Sequence, residues 1–144
     1  MEIRKKLEEN QALQAIENIK TKIFGENILN VLDSKNVEKS FQKIKPGRYL
    51  LAAVMAGVVF YDDEKGCLVQ EMIKPLKSGE QEANALYFKH DITMGMMRDE
   101  NTSNEMALTI NMISRITGRS KQIIEKICGQ DLKITQDLAN FFYS

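Results

Sequence analysis

The sequence predicts an α+β fold: a helical N-terminal region, a small antiparallel β-hairpin sheet and a C-terminal cluster of three short helices. Three observations predict it. Leu13, Ile16, Ile19 and Ile23 recur close to the helical period with charged residues between them. From Cys67 to Ile73 the pattern changes to the partial alternation of a half-buried strand, bounded by turn residues. Beyond residue 100 the chain carries helix start and stop signals in quick succession, at Thr102, Gly118, Ser120 and Gly129.

Taken in order, the segment Ile3–Phe24 reads as an amphipathic helix that Gly25 stops. Ile28, Leu29, Val31 and Leu32 suggest a further short helical turn, and Asp33-Ser34 opens a third piece bearing Val37 and Phe41. Lys45-Pro46-Gly47 breaks the pattern. Pro at a first turn followed by Leu50-Leu51-Ala52-Ala53-Val54 favours a buried helix over about 47–56, passing into a strand at Val58-Val59-Phe60-Tyr61. Asp62–Gly66 is turn chemistry, and a strand follows from Cys67. Pro75 cannot donate to a ladder, so it predicts an edge or the end of that strand. Lys77–Glu80 turns the chain and Ala85–Lys89 supplies the next strand.

The helical tail opens at Thr102, which stands three residues before Glu105 in capping-box spacing. Met106, Ile110 and Ile113 line one face of that helix, with Leu108, Met112 and Ile116 on its flank. Gly118 suits a left-handed C-terminal cap, and Ser120 can cap a next helix that carries Ile123, Ile124 and Ile127 and stops at Gly129. A last helix, from about 132, presents Ile134, Leu138, Phe141 and Phe142.

A chain of 144 residues is the size of one domain and long enough to bury a core, so residues 1–144 are expected to form a single unit. Lysine plus arginine balances aspartate plus glutamate, 20 against 20, which removes the general attraction to nucleic acid or to anionic membrane. The N-terminus alternates in charge and has no signal-peptide core, which predicts a cytoplasmic protein. The longest apolar run, Tyr49–Tyr61, falls short of the roughly 20 residues that span a bilayer. Cys67 and Cys128 lie far apart without CxxC spacing, and with His90 as the single histidine they do not furnish a zinc site, so neither metal nor cofactor is expected.

Phosphate-loop, dinucleotide-binding, HExxH and GxSxG signatures are all missing from the sequence, and no enzyme is predicted. His90-Asp91 reads as a surface or capping pair rather than a nucleophile's base. Asp62-Asp63-Glu64 reads as a solvated turn, because it lacks the spacing of a calcium loop. Residues 113–127 could instead form a helix-turn-helix that offers Arg115, Arg119 and Lys121 to DNA. The balanced charge and the ordinary Gly-Arg-Ser cap sequence favour a structural hairpin there. Five of the eight methionines fall between 94 and 112. Met94, Met96 and Met97 sit in loop-like sequence, where flexible, polarizable side chains suit a varied apolar partner.

The stretch Gln70–Glu80, the stretch Leu86–Gly95 and the helical Arg115-Ile116-Thr117-Gly118-Arg119-Ser120 step, in that order and spacing, resemble the small tail assembly chaperones of Mu-like and related long-tailed bacteriophages. The resemblance covers roughly residues 68–142. It departs from the family pattern at Ile92-Thr93, where Pro-Thr is usual, and at Met96, where an acidic residue is usual. It implies a non-catalytic factor that binds the tape-measure protein during tail assembly in the host cytoplasm and is left out of the mature virion. Met94, Met96, Met97, Phe141 and Phe142 are then the candidate partner contacts. Such families also imply self-association and a partner form lengthened by ribosomal frameshifting, for which Asn140-Phe141-Phe142 permits a slippery AAU UUU UUU. A small DNA-binding regulator and a structural tail-tube or terminator component are the alternatives.

Overall fold

The computed structural model describes residues 3–26, 28–31, 46–89 and 105–143. Within them the fold is α+β, and five α-helices, one 3-10 turn and a three-stranded antiparallel sheet follow the predicted order. The predicted piece at 33–41 and the Thr102 cap lie outside the described residues.

Helix α1 runs Glu9–Phe24, starting at Glu9 rather than at Ile3 because Glu8 takes the N-terminal cap position; it buries Ala12, Ile16 and Ile19, one stripe of its surface, and Leu13 falls on the flank. Gln11 Oε1 accepts the Glu8 N–H at 2.9 Å, which satisfies a donor at the helix start. A 3-10 turn (Ile28–Val31) follows. Helix α2 (Arg48–Ala56) buries Leu50, Ala53 and Val54. Its last turn holds the N-terminal segment, because the Met55 carbonyl accepts the N–H groups of Lys6 (2.8 Å) and Leu7 (3.1 Å).

The sheet runs β1 (Val59–Asp62), β2 (Cys67–Ser78) and β3 (Gln81–Phe88), with β2 in the middle. Val59, Gln70 and Leu86 stand in one cross-strand row and Tyr61, Leu68 and Phe88 in the next on the same face. That face meets the helices, since Val59, Leu68, Leu86 and Phe88 share one buried cluster with residues of every helix. In the first hairpin, Asp62 Oδ1 accepts the Glu64 and Lys65 N–H groups at 3.0 and 3.1 Å, so the acidic triplet is a turn closed on its own backbone.

Two strand boundaries differ from the sequence expectation. Strand β3 begins at Gln81 rather than Ala85, because Ser78 pairs directly with Gln81 across Gly79-Glu80. Gly79, with φ 61°, supplies the positive dihedral that a two-residue hairpin loop requires. Strand β2 does not end at Pro75. Glu71 pairs with Ala85 and Leu76 with Ala83, so residues 72–75 bulge opposite Asn84 and the ladder resumes beyond them. Pro75 sits inside that bulge, past the reach of β1, where its missing donor breaks no ladder bond.

Three helices close the chain: α3 (Glu105–Thr117), α4 (Lys121–Ile124) and α5 (Gly129–Tyr143). Met112, Ile113, Ile116 and Thr117 are buried in α3, whereas Met106, expected on that face, is exposed. Gly118 adopts φ 70° and stops α3 as predicted. Ser120 caps α4, its Oγ accepting the Ile123 N–H at 3.3 Å. Helix α4 is a single turn, and Gly129 starts α5 rather than ending α4. Helix α1 packs on α2, α2 on α5, α5 on β2, and α3 on β3.

Candidate functional site

Two ends of α5 organise the surroundings of any site. Near its start, Asp131 is buried on the same helix face as Ile134, Thr135 and Leu138. Its carboxylate accepts the N–H groups of Ile73 and Lys74, both at 2.9 Å. These are the donors that the β2 bulge turns out of the ladder, so one side chain satisfies both. The Asp131 carbonyl oxygen also accepts Gln70 Nε2 at 3.3 Å, and the Thr135 hydroxyl lies between that carbonyl (2.8 Å) and Gln70 Oε1 (3.0 Å). Gln70 is fully buried among apolar neighbours, and this network gives its amide partners on the facing helix.

Two turns on, Asp137 Oδ2 accepts the Leu50 N–H at 3.0 Å, capping α2 from a distant part of the chain. Gly47 makes room for it: a Cβ there would overlap the Asp137 carboxylate. These groups bind backbone donors, and that is a structural task. Sequence reasoning missed all of them, although Asp131 and Thr135 interrupt an apolar stripe and so signal a buried polar network.

The far end of α5 is aromatic. Phe142 stacks on Phe88 with ring centroids 5.5 Å apart, and Phe141 meets Phe142 edge-on at 5.7 Å. Phe24, at the end of α1, touches both rings at 5.8 and 5.9 Å. Phe142 is only 4% exposed, so this candidate contact is a core ring in the fold, and Phe141 is half-buried against the same cluster. Among the described residues the exposed large apolar side chains are Ile3, Phe24 (41%), Ile28 (80%), Val31 (82%) and Met106, and of these Phe24 packs on the aromatic cluster. Met94, Met96, Met97 and His90 lie outside the described residues.

The alternative DNA-reading segment folds into a hairpin. The Ser114 hydroxyl donates to the Arg119 carbonyl oxygen at 2.5 Å, and the Ser120 hydroxyl donates to Gln81 Oε1 of β3 at 3.1 Å. Arg115 and Lys121 are exposed and Arg119 is half-buried. Helix α4 has four residues, of which Ile123 and Ile124 are buried, and one such turn does not supply the helix that lies in a major groove. The two cysteines differ in setting. Cys128 is exposed, whereas burial, with the Asp62 carboxylate adding to it, pushes the Cys67 thiol up and keeps it protonated.

Among the described residues no group of His, Cys, Asp and Glu is arranged to hold a metal ion, and no helix is long and apolar enough to cross a membrane. In comparisons with known proteins, the chain matches no family model, no curated sequence and no solved structure.

Proposed function

We propose that this protein is a non-catalytic tail assembly chaperone of a bacteriophage or prophage, which binds the tape-measure protein in the host cytoplasm and does not remain in the virion. The observation that carries the reading is the exposure of three large apolar side chains near one another in sequence, Phe24, Ile28 and Val31, of which Phe24 packs on the aromatic end of α5. Large apolar side chains held this far into solvent mark contact surfaces more often than incidental exposure when they cluster. A tape-measure protein is long and helical, with apolar stripes that would associate wrongly before the tube encloses them, and an apolar strip on a small reversible binder covers such stripes. The resemblance of residues 68–142 to tail assembly chaperones supports the same reading, and the one-turn α4 weighs against the DNA-binding alternative.

The test is co-expression with the tape-measure protein encoded in the same tail operon. A tagged copy of this chain is expected to keep that protein soluble and to co-purify with it. An insoluble tape measure and no co-purification would overturn the reading, and recovery of the chain in purified particles would favour a structural tail component instead.

A further inference from the structure

A groove of about 360 Å³ opens on the surface between the N-terminal segment, α1, the end of α2 and β1. Its apolar lining includes Leu7, Ile19, Val54 and Val59, and its charged lining is Lys6 and Lys22, with no aspartate or glutamate. The volume is at the low end of ligand pockets, about 300–1,000 Å³, and the open side suits side chains delivered by another polypeptide better than an enclosed small molecule.

The two ammonium groups differ in what they already hold. Lys22 Nζ lies 2.8 Å from Asp63 Oδ1 and 4.8 Å from the centre of the Tyr61 ring, so its charge is directed toward the β1–β2 turn. Lys6 meets no carboxylate among the described residues. It is nevertheless placed: its own N–H and that of Leu7 are bonded to the Met55 carbonyl, and its side chain lies across Gly57, where a Cβ would come within 2.6 Å of Lys6 Cδ. An apolar trough beside a positioned cation that meets no carboxylate among the described residues is complementary to an apolar side chain flanked by a carboxylate.

We propose that this groove is a docking site for a partner polypeptide that presents an apolar side chain next to an acidic one, and that in the chaperone reading, on which this inference rests, the partner is the tape-measure protein. The experiment is the same co-purification run with two variants, Lys6→Glu and Ala15→Trp, the second of which fills the groove from α1. Lys6 is exposed and unpaired among the described residues, so Lys6→Glu is expected to leave the thermal unfolding midpoint unchanged. It should weaken retention of the tape measure by about tenfold at low salt, with wild type and variant converging at high salt. Ala15→Trp should weaken retention at every salt concentration. If wild type binds and both variants bind equally well, the groove proposal falls and the chaperone reading stands. If wild type fails to bind, both fall.

Discussion

The two halves of α5 are anchored by opposite chemistry. Its first half is tied to the sheet through Asp131, Thr135 and Gln70, and its polar atoms there meet specific partners in the β2 bulge. Its last turn is held by ring contacts among Phe24, Phe88, Phe141 and Phe142. Hydrogen bonds are directional, so the first half fixes the height and rotation of the helix against the strand. Ring packing is less directional than a hydrogen bond, and it extends the second half outward to Phe24, which is 41% exposed. The polar end sets the position of the helix; the aromatic end leaves Phe24 partly in solvent.

The largest effect expected is at the aromatic end. Phe142→Ala removes a buried ring that touches three others and should cost about 3–5 kcal/mol in urea unfolding. A cost below ~1 kcal/mol would show that the rings are dispensable and would dissolve the contrast. Asp131→Ala strands the Ile73 and Lys74 donors and should cost roughly 2–3 kcal/mol, with hydrogen exchange at those two amides accelerating ahead of the rest of β2. Uniform exchange across the strand would mean that the carboxylate does not hold the bulge.

Asp137→Ala should cost about 1 kcal/mol through loss of the α2 cap, and Gly47→Ala a similar amount by pushing the carboxylate away. The two should be strongly non-additive, since the added methyl has nothing to displace once Asp137 is gone. Additive costs would sever the link between them. Smallest for stability is the pair Ile28→Ser and Val31→Ser, expected to stay within about 0.5 kcal/mol of wild type because both side chains are already in water. That pair should still lose co-purification with the tape-measure protein, which separates surface from scaffold in one measurement.

The local chemistry was legible in the sequence. The stops at Gly25 and Gly118, the Ser120 cap and the turn at Asp62 each depend on residues a few positions apart, and the structure has them where the pattern predicts; of the expected α1 stripe Ile16 and Ile19 are buried, while Ala12 takes the place expected of Leu13 and Ile23 is half-buried. What escaped are contacts whose partners are backbone groups far along the chain. Asp131 reaches Ile73 and Lys74, and Asp137 reaches Leu50, and a backbone N–H carries no residue type that a pattern could match. Of the two readings Pro75 offered, an edge or the end of β2, the edge holds and the end does not, because nothing nearby announces that the ladder resumes at Leu76. Of the candidate contacts, Phe142 turned out to face the core, since two adjacent phenylalanines at a helix end do not reveal which one faces inward.

Past Glu71, β2 pairs with β3 on one side and with no other strand among the described residues. A bare strand margin of that kind invites a second molecule to add its own strand, and repeated addition leads to fibres. Here the margin is blunted: the bulge breaks its regular spacing, Asp131 occupies two of its donors, and Lys74, Pro75 and Lys77 stand exposed along it. Bulge, carboxylate and exposed lysines together keep this stretch of β2 from serving as a template on which a second copy of the chain could add its own strand.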